Sequence, residues 1–392
     1  MLTEQHIQII KSTIPLLENA GPALTKHFYA RMFSHEPELQ NIFNMSNQDN
    51  GRQQVALFEA IAAYAKNIEN VSVLQSAVER IAQKHTSLNI QPEHYKIVGY
   101  HLIETLRELT GDVFSNDVEE AWTNAYQFLA QIFINREAEL YHQRSSIQGG
   151  WRDARVFKVI DIIVESALVK SFIFAPVDEQ AVIDFSPGQY LGIEVTPTQG
   201  NFKEIRQYSL SDTFNGENYR ISVKRETIGI PGKVSNHLHN DINIGDEVNF
   251  YSPAGDFFFV NRKKPVVLIS AGVGITPMQA MLETLGKQNY NETVQYLHAC
   301  ENSQQHSFSL RTTEIINKNN WQHIWYQNEE SNLENTYHGF MDFSEVTLPI
   351  NDGDFYLCGP IGFMQFAKQQ LLTLNVPETN IHYEVFGPHQ SL

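Results

Sequence analysis

The amino-acid sequence predicts a multidomain chain: an all-α segment, then an antiparallel β-barrel, then an α/β segment built on a parallel sheet. Three patterns carry that expectation. Residues 1–147 set apolar side chains at helical period, and residues 151–262 are β-branched and aromatic runs broken by turn residues. Residues 263–392 alternate short apolar runs with helical stretches. At 392 residues the chain exceeds what one ordinary core supports.

In the first segment the periodic positions are Leu16, Leu17, Leu24, Phe28 and Met32, then Val55, Leu57, Phe58, Ile61 and Tyr64. Asn70, Pro92 and the Gly111–Asp112 pair interrupt them, which predicts about six to eight helices. The polar run QRSSIQGGW, 143–151, reads as a connector. The runs RVFKVIDIIVES, SFIFAPV, YRISVKRE and DEVNFYSPAGDFFF then give the spacing of a small antiparallel barrel. In KKPVVLISAGVGITPMQAML a wholly apolar run meets a glycine-rich turn and a helical stretch. TVQYLHACEN and DFYLCGPIGFMQFAKQQLL repeat that grammar, as crossover helices on a parallel sheet require.

Composition narrows the function classes. Hydrophobic residues at 42% and charged residues at 19% describe a globular protein. A net charge of −17 argues against a nucleic-acid or anionic-membrane surface, which needs clustered Lys and Arg. The two cysteines, Cys300 and Cys358, support neither a disulfide framework nor a cysteine metal cluster. With no signal-peptide pattern and no apolar run of membrane-span length, a reduced, cytoplasmic protein is expected.

Several short motifs are candidates for chemistry. Gly272 and Gly274 sit between an apolar run and a helix, where backbone N–H groups and the helix dipole favour a phosphate. The same spacing also describes an ordinary tight turn. IRQYSL, 205–210, offers an Arg beside a Tyr and a Ser, an anion clamp with a stacking platform, or simply an exposed strand. His85 in IAQKHTSLNI has no second His, Cys or carboxylate at zinc-ligand spacing. Haem, whose porphyrin supplies the in-plane bonds, needs only one such ligand.

The order of the motifs is more specific than any one of them. PGQY, RQYS, GKVS, AGVGITP, YLCGP and FGP follow one another from residue 187 to residue 388. Together they resemble the ferredoxin-NADP reductase superfamily, an FAD-binding barrel followed by a nicotinamide-binding α/β domain. Upstream, TIPLL, GPALTKHFYARMF, IFNMSNQ, QVALFEAIAAYAKNI, IAQKHTSLNI and INREAELY resemble a globin. The fusion is similar to the flavohaemoglobins, the bacterial and fungal nitric oxide dioxygenases, over essentially the whole chain. That resemblance implies a globin domain at 1–147, an FAD-binding barrel at 151–262 and an NAD(P)H-binding domain at 263–392.

It also implies roles. His85 becomes the proximal ligand of haem b iron, with Tyr95 and Glu137 as its proximal partners. Phe43 packs on the porphyrin, Gln53 and Leu57 line the distal side, and Tyr29 points its hydroxyl at bound O2. Lys84 reaches a haem propionate or Glu384. For FAD the resemblance implies Tyr190, the run Arg206, Gln207, Tyr208 and Ser209, and the helix opening Gly232, Lys233, Val234 and Ser235. For the dinucleotide it implies Gly272, Val273, Gly274, Ile275, Thr276 and Pro277, with Cys358, Gly359 and Pro360 by the nicotinamide. Glu384, Val385, Phe386, Gly387 and Pro388 cover the flavin where the nicotinamide enters. Many members carry Cys where this chain has Val385, and the stretch holding Ile228 and Ile230 is slightly long. Glu301, at the end of the next apolar run, would repel a 2′-phosphate, so NADH is expected over NADPH.

The activity so implied turns NO and O2 into nitrate, with NAD(P)H electrons passing through FAD to haem. A haem-based oxygen or gas binder and a general NAD(P)H-dependent ferric or quinone reductase are the alternatives. O2, NO and NAD(P)H are the small-molecule partners, no nucleic acid is expected, a monomer is expected, and the distal pocket leaves room for a lipid.

Overall fold

The computed structural model describes residues 2–43, 52–198, 202–330 and 334–387. The chain divides into two compact units, Met1–Ile147 with Gly200–Ile205, and Gln148–Gln199 with Arg206–Leu392.

The first unit is helical, as its apolar period predicts. Among the described residues its helices are α1 (Glu4–Ala20), α2 (Pro22–His35), α3 (Arg52–Lys66), α4 (Gln75–Thr86), α5 (Pro92–Thr110) and α6 (Asn116–Ser146). The breaks fall where the local chemistry dictates. Gly21 and Gly111 take φ of +54° and +53° to end α1 and α5, and Pro92 opens α5, where its missing N–H costs nothing. Ile10, Leu24, Phe28, Met32, Leu106 and Trp122 form the common core. Buried polar groups on its edges find partners: Trp122 Nε1 donates to Thr13 Oγ1 at 3.0 Å and Tyr64 OH to the Ala125 carbonyl at 2.9 Å.

One boundary differs from expectation. The run read as a connector from residue 143 is helical through Ser146. No glycine interrupts it before Gly149, and Arg144 is 8% exposed, turned inward rather than solvated. A buried, bonded side chain extends α6 by a turn that composition alone assigns to loop.

The second unit begins with β1 (Arg155–Val164), β2 (Val169–Pro176), β3 (Tyr190–Val195), β4 (Glu204–Ser209), β5 (Tyr219–Lys224), α7 (Lys233–Asn240) and β6 (Glu247–Ala254). The six strands pair in the order β4-β3-β6-β1-β2-β5, with antiparallel ladders from β3 through β6, β1 and β2 to β5. An antiparallel bridge from Leu210 to Ile221 ties the β4 end back to β5, so the sheet curls toward closure. Phe157, Phe172, Phe174, Tyr219 and Phe250 fill the interior.

A parallel sheet follows, from β7 (Val266–Ala271), α8 (Ile275–Lys287), β8 (Val294–Cys300), α9 (Ser309–Asn319), β9 (Gln322–Gln327), β10 (Thr336–His338), β11 (Asp354–Cys358), α10 (Ile361–Thr373) and β12 (Ile381–Glu384). Its order is β10-β9-β8-β7-β11-β12. All six residues of β7 are buried, as a central strand covered by helices on both faces demands. The chain winds from β7 toward β8 and β9, then returns to place β11 on the other side of β7. The crevice beyond the carboxyl ends of β7 and β11 is therefore a topological switch point, the default ligand position of such sheets.

Candidate functional site

Three helices meet at His85. It lies one residue from the end of α4, with its side chain 31% exposed. Its Nδ1 is 2.8 Å from Glu137 Oε1 on α6 and 2.9 Å from Tyr95 OH on α5. Tyr95 OH donates to the same Glu137 oxygen at 2.5 Å. The three proximal residues close into a triangle in which each touches the other two. Glu137 is only 3% exposed, so an unshared carboxylate there would cost several kcal/mol, about 3–5 when a buried pair is broken. Burial and the adjacent Glu137 hold the Tyr95 hydroxyl far above its ordinary range, which keeps it a donor.

Further groups, silent in the sequence, hold the triangle. Tyr126 OH donates to the Tyr95 carbonyl at 2.6 Å, and Phe133 stacks on the Tyr95 ring with centroids 6.3 Å apart. Gly99 makes the first contact feasible, because a Cβ there would lie 2.4 Å from the Tyr126 ring. A glycine inside a helix costs about 1 kcal/mol, and that cost is the one signal of close packing the sequence offers here.

Elsewhere in the helical unit, Tyr29 is buried among aromatic rings, with centroids 5.0, 5.9 and 5.9 Å from Phe28, Phe33 and Phe43. Gln53 and Leu57 share one face of α3, and Leu57 packs on the core that contains Tyr29. The Oε1 of Gln53 is buried with no hydrogen-bond partner among the described residues. Lys84 is half-buried on α4 of the helical unit, and Glu384 ends β12 of the other.

The barrel carries the second group of predicted residues. Arg206, Gln207 and Tyr208 are half-buried on β4, and Ser209 is buried at its end. Burial raises the Tyr208 hydroxyl above its ordinary range, so it stays protonated. Tyr190 starts β3 with its ring over Gly255, whose φ of +117° and missing Cβ let the ring lie 2.9 Å from where that carbon would be. Gly232 caps α7 and Lys233 opens it, exposed. Val234 and Ser235 are buried, and Ser235 Oγ accepts from Glu226 N at 3.3 Å, so this hydroxyl shapes its own loop.

At the switch point the two glycines of AGVGITP separate in role. Gly272 has φ of +53° and faces open space, where a phosphate has room beside the helix opening. Gly274 faces backbone: a Cβ there would lie 2.2 Å from the Cys358 carbonyl oxygen. Gly272 thus supplies the positive φ of a tight turn, and Gly274 the close approach of the turn to β11. Val273 is half-buried, whereas Ile275, Thr276 and Pro277 are buried under the helix start. Cys358 is paired in register with Ser270 of β7 and Glu384 of β12, and burial pushes its thiol well up. Gly359 and Pro360 lead into α10. Val385 is buried, Phe386 is 43% exposed, Gly387 takes φ of +134°, and Pro388 lies outside the described residues. Among the described residues no group of three or more His, Cys, Asp or Glu could hold a metal ion.

The donor sets fit three different groups. Nδ1 of His85 is engaged, so Nε2 is the nitrogen left for a metal, and the partly exposed ring and orphaned Gln53 oxygen suit a cofactor pocket. Arg206 with Tyr208 suits a flavin's pyrophosphate and ring, and open Gly272 suits a dinucleotide. The class so defined is a globin joined to a flavin- and nicotinamide-dependent reductase.

Comparison with known proteins gives the same class and a family. The Globin family model matches residues 26–133, the Oxidoreductase FAD-binding domain 156–259 and the Oxidoreductase NAD-binding domain 268–369. A flavohemoprotein of Vibrio cholerae serotype O1 is 62% identical over 395 residues, covering 100% of both chains. The crystal structure of a flavohemoglobin from Malassezia yamatoensis with FAD and haem bound is 27% identical, with a TM-score of 0.88 over 98% of this chain and 100% of that one. The FAD/NAD-binding domain of a nitric oxide dioxygenase from Vibrio cholerae O1 biovar El Tor is 55% identical, with a TM-score of 0.59 over 60% of this chain and 100% of that one. The chain belongs to the flavohemoprotein family, whose cofactors are haem, FAD and a nicotinamide dinucleotide. No helix among the described residues is long and apolar enough to cross a membrane.

Proposed function

We propose that the chain is a nitric oxide dioxygenase. Overall, one NADH reduces two turnovers: two NO and two O2 become two nitrate ions, with NAD+ and one proton released. When bound, haem and flavin supply the electron transfer and oxygen chemistry. The chain's own groups bind, orient and dry the site.

The closed triangle of His85, Glu137 and Tyr95 carries the reading. A carboxylate accepting from Nδ1–H fixes the tautomer that leaves the Nε2 lone pair for iron, and makes the imidazole a stronger donor. An oxygen carrier gains nothing from that push, which favours oxidation of the metal. An enzyme refilled by an attached reductase does. On the distal side, Tyr29 with Phe43 and Leu57 would exclude water, while Tyr29 OH and the Gln53 amide would polarise the ligand. Arg206 would neutralise the flavin pyrophosphate, and the N-termini of α7 and α8 would receive phosphates.

Nucleotide choice follows from Glu301, exposed after β8 and accepting from Asn328 Nδ2 at 2.8 Å. A fixed carboxylate near an adenosine ribose disfavours a 2′-phosphate, so NADH is the preferred donor.

NADH-dependent NO consumption with nitrate as product tests the activity. His85→Ala should abolish nitrate formation while NADH still reduces an artificial dye. Persistent nitrate formation in that variant would end the haem mechanism.

A further inference from the structure

Resting on His85 as the haem ligand, we propose that Arg144 is a positioning residue that sets the strength of that ligand from the far end of α6. Its guanidinium is buried, and Nη1 donates to Thr86 Oγ1 at 2.6 Å while Nη2 donates to Gln83 Oε1. Those two partners flank Lys84 and His85 on α4 and are themselves 1% and 8% exposed. Gln83 Nε2 passes the connection on to Glu79 Oε1 at 2.8 Å. Glu79 is in turn gripped by Arg136 through both carboxylate oxygens, at 2.6 and 3.1 Å.

Along α6 the contacts to α4 therefore run Arg136, Glu137, Arg144, with the His85 bond between two arginine clamps. Arg136 and Arg144 are about two helical turns apart, so both ends of the shared face are fixed. Apolar contacts from Ala82 to Phe133 and Leu140 hold the helices together but allow sliding. Directional bonds do not. Turning α4 about its axis would strain the Arg144 bonds together with the 2.8 Å contact from His85 to Glu137, because all three start within one turn of that helix. Burying a guanidinium is expensive, and an apolar side chain would pack this position at less cost. A cation near the last carbonyls of α4 also complements that helix's dipole. The arrangement makes sense if the register of His85 matters more than the local stability.

The test uses the full-length, cofactor-loaded protein and the haem midpoint potential. Arg144→Lys keeps the charge, but one ammonium does not reproduce the planar fork that serves two acceptors. Thr86→Val removes one acceptor with no change of charge or size. Loosening the proximal bond weakens the push that favours ferric iron, so both variants should raise the midpoint potential, Arg144→Lys the more. A melting temperature recorded on the same samples separates position from stability. Lower melting with an unchanged or lowered potential in both variants would overturn the proposal. If Arg144→Lys does not fold, Thr86→Val alone decides by the same sign. His85→Gly separates this idea from the ligand assignment beneath it. A wild-type ferrous spectrum in that variant would overturn both, whereas loss of the spectrum and its recovery with added imidazole leaves only Arg144 in question, to be decided by the potentials.

Discussion

Two histidine sites in this chain are built to opposite ends. His85 faces a carboxylate and a phenol that saturate its Nδ1. In the α/β domain His298 and His306 face each other, rings stacked with centroids 4.8 Å apart. His298 Nδ1 meets Ser270 Oγ at 2.8 Å, but the Nε2 atoms of both rings are buried with no partner among the described residues. Trp325 closes the pocket edge-on to His306 at 4.6 Å, and His323 stacks on the other side of that indole. Burial, then the neighbouring imidazole, holds His298 well below its ordinary range, and burial with His323 lowers His306 to about 4. One site makes an imidazole electron-rich. The other keeps two imidazoles neutral. The difference lies in whether an acceptor of negative charge was brought along.

Removing that acceptor gives the largest expected effect. Glu137→Leu should cut nitrate turnover by about 10–100-fold, the usual cost of losing a ligand's outer partner, and leave dye reduction by NADH intact. Equal losses of both activities would mean general unfolding rather than a weakened ligand.

The α/β pair answers to pH instead. An unfolded histidine titrates near 6.5, so between about pH 6.5 and 4 the unfolded chain takes up protons that folded His306 refuses. Its folded pKa is depressed, so the neutral ring's contribution is complete above that window and is lost as pH falls through it. The loss for His306 amounts to about 3 kcal/mol by pH 4. His306→Phe should flatten the acid limb of the stability curve, read by chemical denaturation at several pH values. An unchanged acid limb would mean the pair is protonated when folded.

Gly99→Ala is the gentler probe of the His85 side. The new methyl displaces the Tyr126 ring and with it the 2.6 Å bond to the Tyr95 carbonyl. Overpacking of this kind costs about 1–3 kcal/mol, and the melting temperature should fall while turnover drops less than in Glu137→Leu.

These sites differ just as much in how far the sequence discloses them. The nucleotide half is legible because phosphate and flavin binding need glycines and an Arg-Tyr-Ser run in fixed order along a few strands. His85 stands out as a ligand candidate only through that half and the globin-like segments around it, since nothing in its own helix separates a ligand from a packed side chain. Arg144 is hidden for a physical reason: in a polar run ahead of two glycines an arginine reads as solvated, and only the fold shows Thr86 and Gln83 waiting for it. His298 lies on β8 and His306 ends the turn 303–305 after it, and the two rings meet only because the chain folds back on the strand there, which their residue types alone do not show. The last turn of α6, through Ser146, is hidden in the polar run for the same reason as Arg144.

The central claim is that Glu137 acts on iron through His85. The iron–histidine stretching frequency of the ferrous, ligand-free protein reads that coupling directly. It should fall when Glu137→Gln replaces the carboxylate with a neutral amide of the same shape. An identical frequency in the two proteins would contradict the account.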